Sequence, residues 1–272
     1  MICNDSPNQK ALAWKINQQV KLDVLAVRSS PRRQDSQISK VLRRGLPGVF
    51  ETIVSYPYRR AWFNMLGKYQ LSYPWFPIDP SFEFSDVNEE CVYELVATEK
   101  PSLVIVSGTN LLKAPLIEKI LESGKVVNLH TGISPYIKGG PNCTNWCLSL
   151  GEFRLIGNSV MWLGAGIDSG NLIATERTVL NGHESLATLH FKVMEHAHDL
   201  YLRCIYLLVH NRNVPSVRQS DFPIQRLFLT REWNTMAKVS GLFNFYLHFK
   251  LRRKHQTSKN AVRLVSPDWN QR

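Results

Sequence analysis

Apolar residues in this chain fall into short continuous runs separated by stretches of helical spacing. Residues 22–27, 103–106 and 126–129 are apolar or nearly apolar runs, residues 158–163 end in one, and residues 172–179 open on one. Runs of that length without polar alternation predict strands of a sheet covered on both faces. Between them, residues 88–98 and 115–123 repeat their apolar positions at helical spacing, the second stopping at Gly124. Residues 144–150 predict a short helix, and 184–211 a long one with Leu186, Leu189, Val193, Ala197, Leu200, Cys204 and Leu207 inward. A third helical pattern covers 37–69 and is broken at Gly45-Leu46-Pro47-Gly48, whereas 73–80 carries too many prolines for regular structure. The alternation of strand and helix predicts an α/β fold: a mostly parallel, Rossmann-like sheet with helices on both faces and right-handed crossovers.

The two ends of the chain complete this picture. Asp5 or Ser6 followed by Pro7 is a helix start. It leaves only Met1-Ile2-Cys3 for the strand that should precede it. The first strand is then either very short or entered part-way, with residues missing upstream. A helix N-terminus at this place can hold an anion or be a simple cap. Past the long helix, residues 226–230 predict a small strand and 233–251 one helix rich in aromatics. The expected division is a catalytic domain over 1–215 and a small, mainly helical C-terminal extension over 216–272.

Composition narrows the class. The chain has 272 residues, 44% hydrophobic and 20% charged, which is enough to bury a core. It shows neither a secretory signal nor an apolar run of bilayer length, so the cytoplasm is the default expectation. Its formal charge is +11, but six of the basic residues (Lys250, Arg252, Arg253, Lys254, Lys259 and Arg263) stand in one acid-free tail. The excess therefore does not make the main body a nucleic-acid binder. An aromatic helix leading into a basic run suits either packing on the domain or an anionic membrane surface, with packing the first expectation. The five cysteines form no disulfide framework or metal motif, and Cys143 and Cys147 read as small residues on one helix face. The histidines at 183, 190, 196 and 198 lack the spacing of a zinc site and read as ordinary helix residues.

Candidate chemistry collects where two strands end. Asn128 and His130 stand two apart at the end of the 126–129 strand, so extended geometry points them the same way. Asp168 closes the 158–163 run within Gly164-Ala165-Gly166-Ile167-Asp168-Ser169-Gly170, whose glycines allow close backbone approach. A histidine near a carboxylate is an acid/base unit, and an asparagine amide can hydrogen-bond a developing oxyanion. Each of these residues alone is more often structural. No nucleophile elbow, phosphate-binding lysine loop or initial dinucleotide fingerprint is present.

Asn128-Leu129-His130, then Pro135 and Lys138-Gly139, then Asp168-Ser169-Gly170 resemble the formyltransferases that use 10-formyltetrahydrofolate. That family includes the glycinamide ribonucleotide, methionyl-tRNA and sugar N-formyltransferases. The resemblance covers about residues 3–211. It departs from the family at Thr131-Gly132, where Pro-Ser is usual, and at Lys138, where Arg is common.

The resemblance implies that Asn128 holds the formyl oxygen. It implies that His130 stabilises the tetrahedral intermediate, and that Asp168 keeps His130 in the right state and helps remove the proton of a primary amine. It also implies a folate pocket from Ser107, Gly108, Thr109, Asn110, Leu111 and Leu112, with the backbone of Leu163, Ala165, Gly166, Ile167 and Asp168. Thr131, Gly132, Lys138 and Gly139 fall on the acceptor side, and no metal is required. The loop from Thr131 to Pro141 looks closest to formyltransferases acting on amino sugars, nucleotide- or lipid-linked. Methionyl-tRNA and glycinamide ribonucleotide acceptors are the alternatives, as are a formyltetrahydrofolate hydrolase and a non-catalytic folate binder. A homodimer is left open.

Overall fold

In the computed structural model, residues 1–29, 45–164, 169–211, 213–251, 262–267 and 269 are described. Seven strands form one sheet: β1 (Ile2–Asn4), β2 (Ala26–Arg28), β3 (Phe82–Phe84), β4 (Leu103–Ser107), β5 (Lys125–His130), β7 (Gly157–Trp162) and β8 (Leu172–Arg177), while β6 (Lys138–Gly139) pairs apart from it with β9 (Leu227–Phe228). Their spatial order is β3-β2-β1-β4-β5-β7-β8. The pairs from β3 to β5 are parallel, and the β5–β7 and β7–β8 pairs are antiparallel. The expected mostly parallel α/β sheet is therefore present. Strand β3 was not anticipated: Phe82-Glu83-Phe84 is a short alternating edge strand lying between a proline-rich loop and a helix.

Both faces of the sheet are covered, for a reason visible in the strands. Val104, Val106 and Val126 face one way, into a core with Val92 and Val96 of α3 (Glu90–Glu99) and Leu116, Ile117 and Ile120 of α4 (Ala114–Leu121). Ile105 and Val127 face the other way. There they meet Leu12 and Ile16 of α1 (Pro7–Gln19) and Leu200, Tyr201 and Ile205 of α6 (Leu186–His210). Alternate residues of a strand point to opposite faces, so a continuous apolar run serves two cores at once.

α2 (Gly45–Ser72) runs unbroken through Pro47 and Pro57. The break expected at 45–48 is instead the helix start, where Pro47 lies in the first turn and its missing N–H costs nothing; residues 37–44 lie outside the described set. The single helix expected over 233–251 is divided. α7 (Thr235–Phe243) gives way to a π-helical segment, Asn244–Leu251. At that change Asn244 Nδ2 donates to the carbonyls of Leu148 and Ser149, and Phe245 stacks on Phe249 with centroids 5.6 Å apart. Both rings are buried in a core shared with Ile133, Ile137 and Trp146. The wider turn thus brings two aromatics four positions apart onto the same apolar surface.

The sheet's cover also sets a pH dependence. His190 on α6 is buried edge-on against the Trp62 ring, and burial pushes its pKa down from 6.5 to about 4. His198 is lowered too, by burial and then by the charge of Lys15. For such a group the unfolded chain takes up the proton first. Its contribution to stability is complete above the unfolded pKa and is lost as pH falls through the window down to the folded one. His190 alone should cost on the order of 3 kcal/mol across that window. Urea unfolding at about pH 7.5 and about pH 5 should show the loss, and His190→Gln should shrink it. An undiminished pH slope in the variant would refute the assignment.

Candidate active site

The order of the strands reverses between β1 and β4, and a cleft of about 450 Å³ opens beyond their C-terminal ends. Crevices at such a switch point are where open α/β sheets bind ligands. Asn128 and His130 both line it, placed on one side of β5 by strand alternation. Opposite β5, the antiparallel β7 pairs Met161 with Asn128 and Ser159 with His130. Ser107, Gly108 and Thr109, following β4, line the same cleft, as do Thr131 and Gly139 of the loop after β5.

That loop is held by a short set of contacts. Ser159 is fully buried; its Oγ donates to Gly132 O at 2.6 Å and accepts from Ser134 N at 2.9 Å. Gly132 passes directly under the imidazole. A Cβ there would lie 2.8 Å from His130 Nε2 and 2.8 Å from Cys143 Cβ. This close approach is why a glycine follows the His-Thr pair: any side chain would push the ring out of place. Farther along, Lys138 Nζ reaches Gln219 Oε1 of the extension at 3.5 Å, and Gln219 Nε2 donates to Gly170 O at 2.7 Å.

The remaining predicted residues divide into three groups. Leu112 is buried behind the 107–109 turn with Leu163 packed in the same core. Asn110 is committed to the protein, accepting from Val87 N and donating to Asp86; Leu111 is exposed. Ala165, Gly166, Ile167 and Asp168 lie outside the described residues, but the ends of their segment are described. Trp162 N donates to Asn171 O at 3.0 Å, and Gly164 sits against Ser169 and Gly170. The segment that carries Asp168 is thus closed at its base, at the junction of β7 and β8.

Several cleft residues escaped the sequence reading. Asn4, Ser6, Asn8 and Gln9 enter from the start of α1, Trp62 and Leu66 from α2, and Met194 from α6. Ser6 is the N-cap, as expected, with its Oγ 2.6 Å from Asn4 Oδ1 and 2.8 Å from Asn8 Oδ1. Gln9 Oε1 is buried and has no hydrogen-bond partner among the described residues. Cys143 was read as a packing residue, and it is buried, yet its Sγ lies 3.3 Å from His130 Nε2. The available signal was Asn142, which caps α5 (Cys143–Leu150) by accepting from Asn145 N and so aims that helix start back at the loop.

A fit to a folate can be judged from these groups. Trp62, Leu66 and Met194 give the cleft its apolar lining, while Ser107, Thr109 and the buried Gln9 side chain beside Gly108 bring polar atoms to it. Apolar walls with a few convergent polar atoms suit a flat, polar-edged heterocycle.

Known proteins share part of this sequence and its fold. The chain is 23% identical over 150 residues to the methionyl-tRNA formyltransferase of Clostridium perfringens, a match covering 55% of this chain and 46% of that protein. It spans about half the length of the curated relatives it matches. A sugar N-formyltransferase from a Shewanella species shares the fold with a TM-score of 0.52 at 11% identity, covering 90% of this chain and 86% of that one. Phosphoribosylglycinamide formyltransferase from Anaplasma phagocytophilum does so with a TM-score of 0.51 at 14% identity, covering 84% of this chain and 95% of that one. The family model described as Formyl transferase matches residues 63–205, from the middle of α2 to the end part of α6 and across the whole of β5, its loop and β7. With more than half of its length matched in this way, the chain belongs to the formyl transferase family.

Proposed function

We propose that this protein is a formyltransferase that moves the formyl group of 10-formyltetrahydrofolate to a primary amine on an amino sugar. The observation that carries the reading is the pairing of Asn128 and His130 on one side of β5 in a cleft at the sheet's switch point. The folate supplies an activated formyl carbon when bound. Ser107, Gly108, Thr109, Leu112 and Leu163 hold it, with Ala165, Gly166 and Ile167 as further contacts. Asn128 donates its amide hydrogen to the formyl oxygen, and His130 places a second donor at the same oxygen as negative charge builds there. Asp168 fixes the state of His130 and accepts the amine's proton directly or through water. Thr131, Gly132, Lys138 and Gly139 form the acceptor side.

The amino sugar is favoured by the loop from Thr131 to Pro141, which resembles that of formyltransferases acting on amino sugars. The C-terminal part of the chain packs on that loop, with the Phe222 ring edge-on to Tyr136 and Leu227-Phe228 paired with Lys138-Gly139. Sugar N-formyltransferases are also among the proteins sharing the fold across most of this chain. Methionyl-tRNA remains the second reading because the sequence relatives are methionyl-tRNA formyltransferases.

The deciding assay follows tetrahydrofolate release from 10-formyltetrahydrofolate with amino sugars, glycinamide ribonucleotide or charged initiator tRNA. Release that depends on an amino sugar is the expected result. Release without any amine would make the protein a hydrolase. Release with tRNA alone would reassign the acceptor, and no release with any of them would overturn the proposal.

A further inference from the structure

The long helix α2 has two apolar faces, and the described residues cover only one. Its inward face buries Val54, Tyr58, Ala61, Met65 and Tyr69. On the outward face Leu46 is 87% exposed, Phe50 54%, Ile53 63%, Tyr56 59% and Phe63 61%. A surface helix ordinarily turns polar and charged residues to solvent. A contiguous stripe of large apolar side chains there marks a surface that meets something else.

Charge decides what that is. Arg59 and Arg60 stand on the exposed side of the same helix, and neither forms an ion pair among the described residues. The helix contains one acid, Glu51, which lies 3.2 Å from Lys238. An apolar stripe flanked by unpaired arginines matches the boundary between acyl chains and anionic headgroups of a lipid bilayer. A second copy of the chain fits less well. A two-fold contact through this face would bring both copies' arginines together with no acid to receive them. No helix among the described residues is long and apolar enough to cross a membrane, so α2 lies on the surface.

We infer that the outward face of α2 is a docking surface for an anionic bilayer. Trp62 and Leu66, on the flank of the same helix, line the cleft. Docking therefore brings the mouth of the cleft to the lipid surface, where the amine of a lipid-linked amino sugar is presented. This last step rests on the acceptor proposed above; the docking does not, because it requires neither donor nor acceptor.

Flotation of the full chain with vesicles tests it. Wild-type protein should float with vesicles of phosphatidylcholine mixed with phosphatidylglycerol and not with phosphatidylcholine alone. The triple variant Phe50→Ser, Ile53→Ser, Phe63→Ser should lose about tenfold or more in partition. Arg59→Gln with Arg60→Gln, a change confined to exposed side chains, should also weaken it and serves if the triple variant does not fold. Circular dichroism and folate binding should be unchanged in the variants that fold. Undiminished flotation of both variants would overturn the inference. So would loss of flotation only on changing Arg252, Arg253 and Lys254 to Gln, or self-association of a wild type that binds no vesicles.

Discussion

Replacing His130 with Ala should lower kcat/KM for amine-dependent tetrahydrofolate release by about a hundred- to ten-thousandfold. The basis is positional. His130 is the last residue of β5 and is only 9% exposed. Its ring is confined between Gly132 below and the Cys143 thiol beside it. A group held so closely serves one geometry, and its loss removes both a donor to the formyl oxygen and the partner of Asp168. Asn128→Ala should cost less, because one hydrogen bond to the formyl oxygen is lost while the second donor stays. Equilibrium binding of the folate should survive both changes, since the 107–112 turn and Leu163 belong to the strands on either side of β5 and not to β5 itself. Turnover of His130→Ala within a few-fold of wild type would remove it from the chemistry.

Gly170→Ala should be the most damaging single change on the fold's account. A Cβ at Gly170 would stand 1.7 Å from the carbonyl oxygen of Trp162, a backbone atom of β7 that cannot step aside without disturbing the sheet. Relief requires moving the start of β8 or opening the junction where Trp162 N meets Asn171 O. Such overpacking costs about 1–3 kcal/mol or more. Because this junction also bases the segment carrying Asp168, activity should fall further than stability does. Urea unfolding and the release assay on the same preparation check both parts. An unchanged unfolding midpoint with full activity would show that the close approach has no consequence.

Much of this organisation is legible in the sequence because it depends on local pattern. Continuous apolar runs announce strands buried on both faces, and Val104 to Val106 split between two cores accordingly. Asn128 and His130 are legible because strand period alone puts them together. What was not legible depends on distance along the chain. Cys143 looks like a packing residue until the loop folds back and sets it against His130, thirteen positions earlier. Trp62 and Leu66 reach the cleft only because α2 crosses the start of α1, and no period within α2 distinguishes that flank. The π-helical turn after α7 was invisible because its apolar spacing resembles that of an ordinary helix. The second apolar face of α2 was present in the sequence as Leu46, Phe50, Ile53 and Phe63, but only the fold shows which of two apolar stripes is left uncovered.

One small feature reaches beyond its size. Lys138 and Gly139 pair in parallel with Leu227 and Phe228, a two-rung ladder joining the acceptor loop to the C-terminal extension, and the Phe228 ring stacks on Trp146 at 4.4 Å. A backbone ladder is indifferent to most side chains. The extension can therefore change its residues widely and still clamp the loop in the same register. On the function proposed above, acceptor choice is then separable from catalysis: substitutions in the extension, and in the loop away from Gly132 and Gly139, retune what is admitted, while β5 and its two polar residues stay as they are.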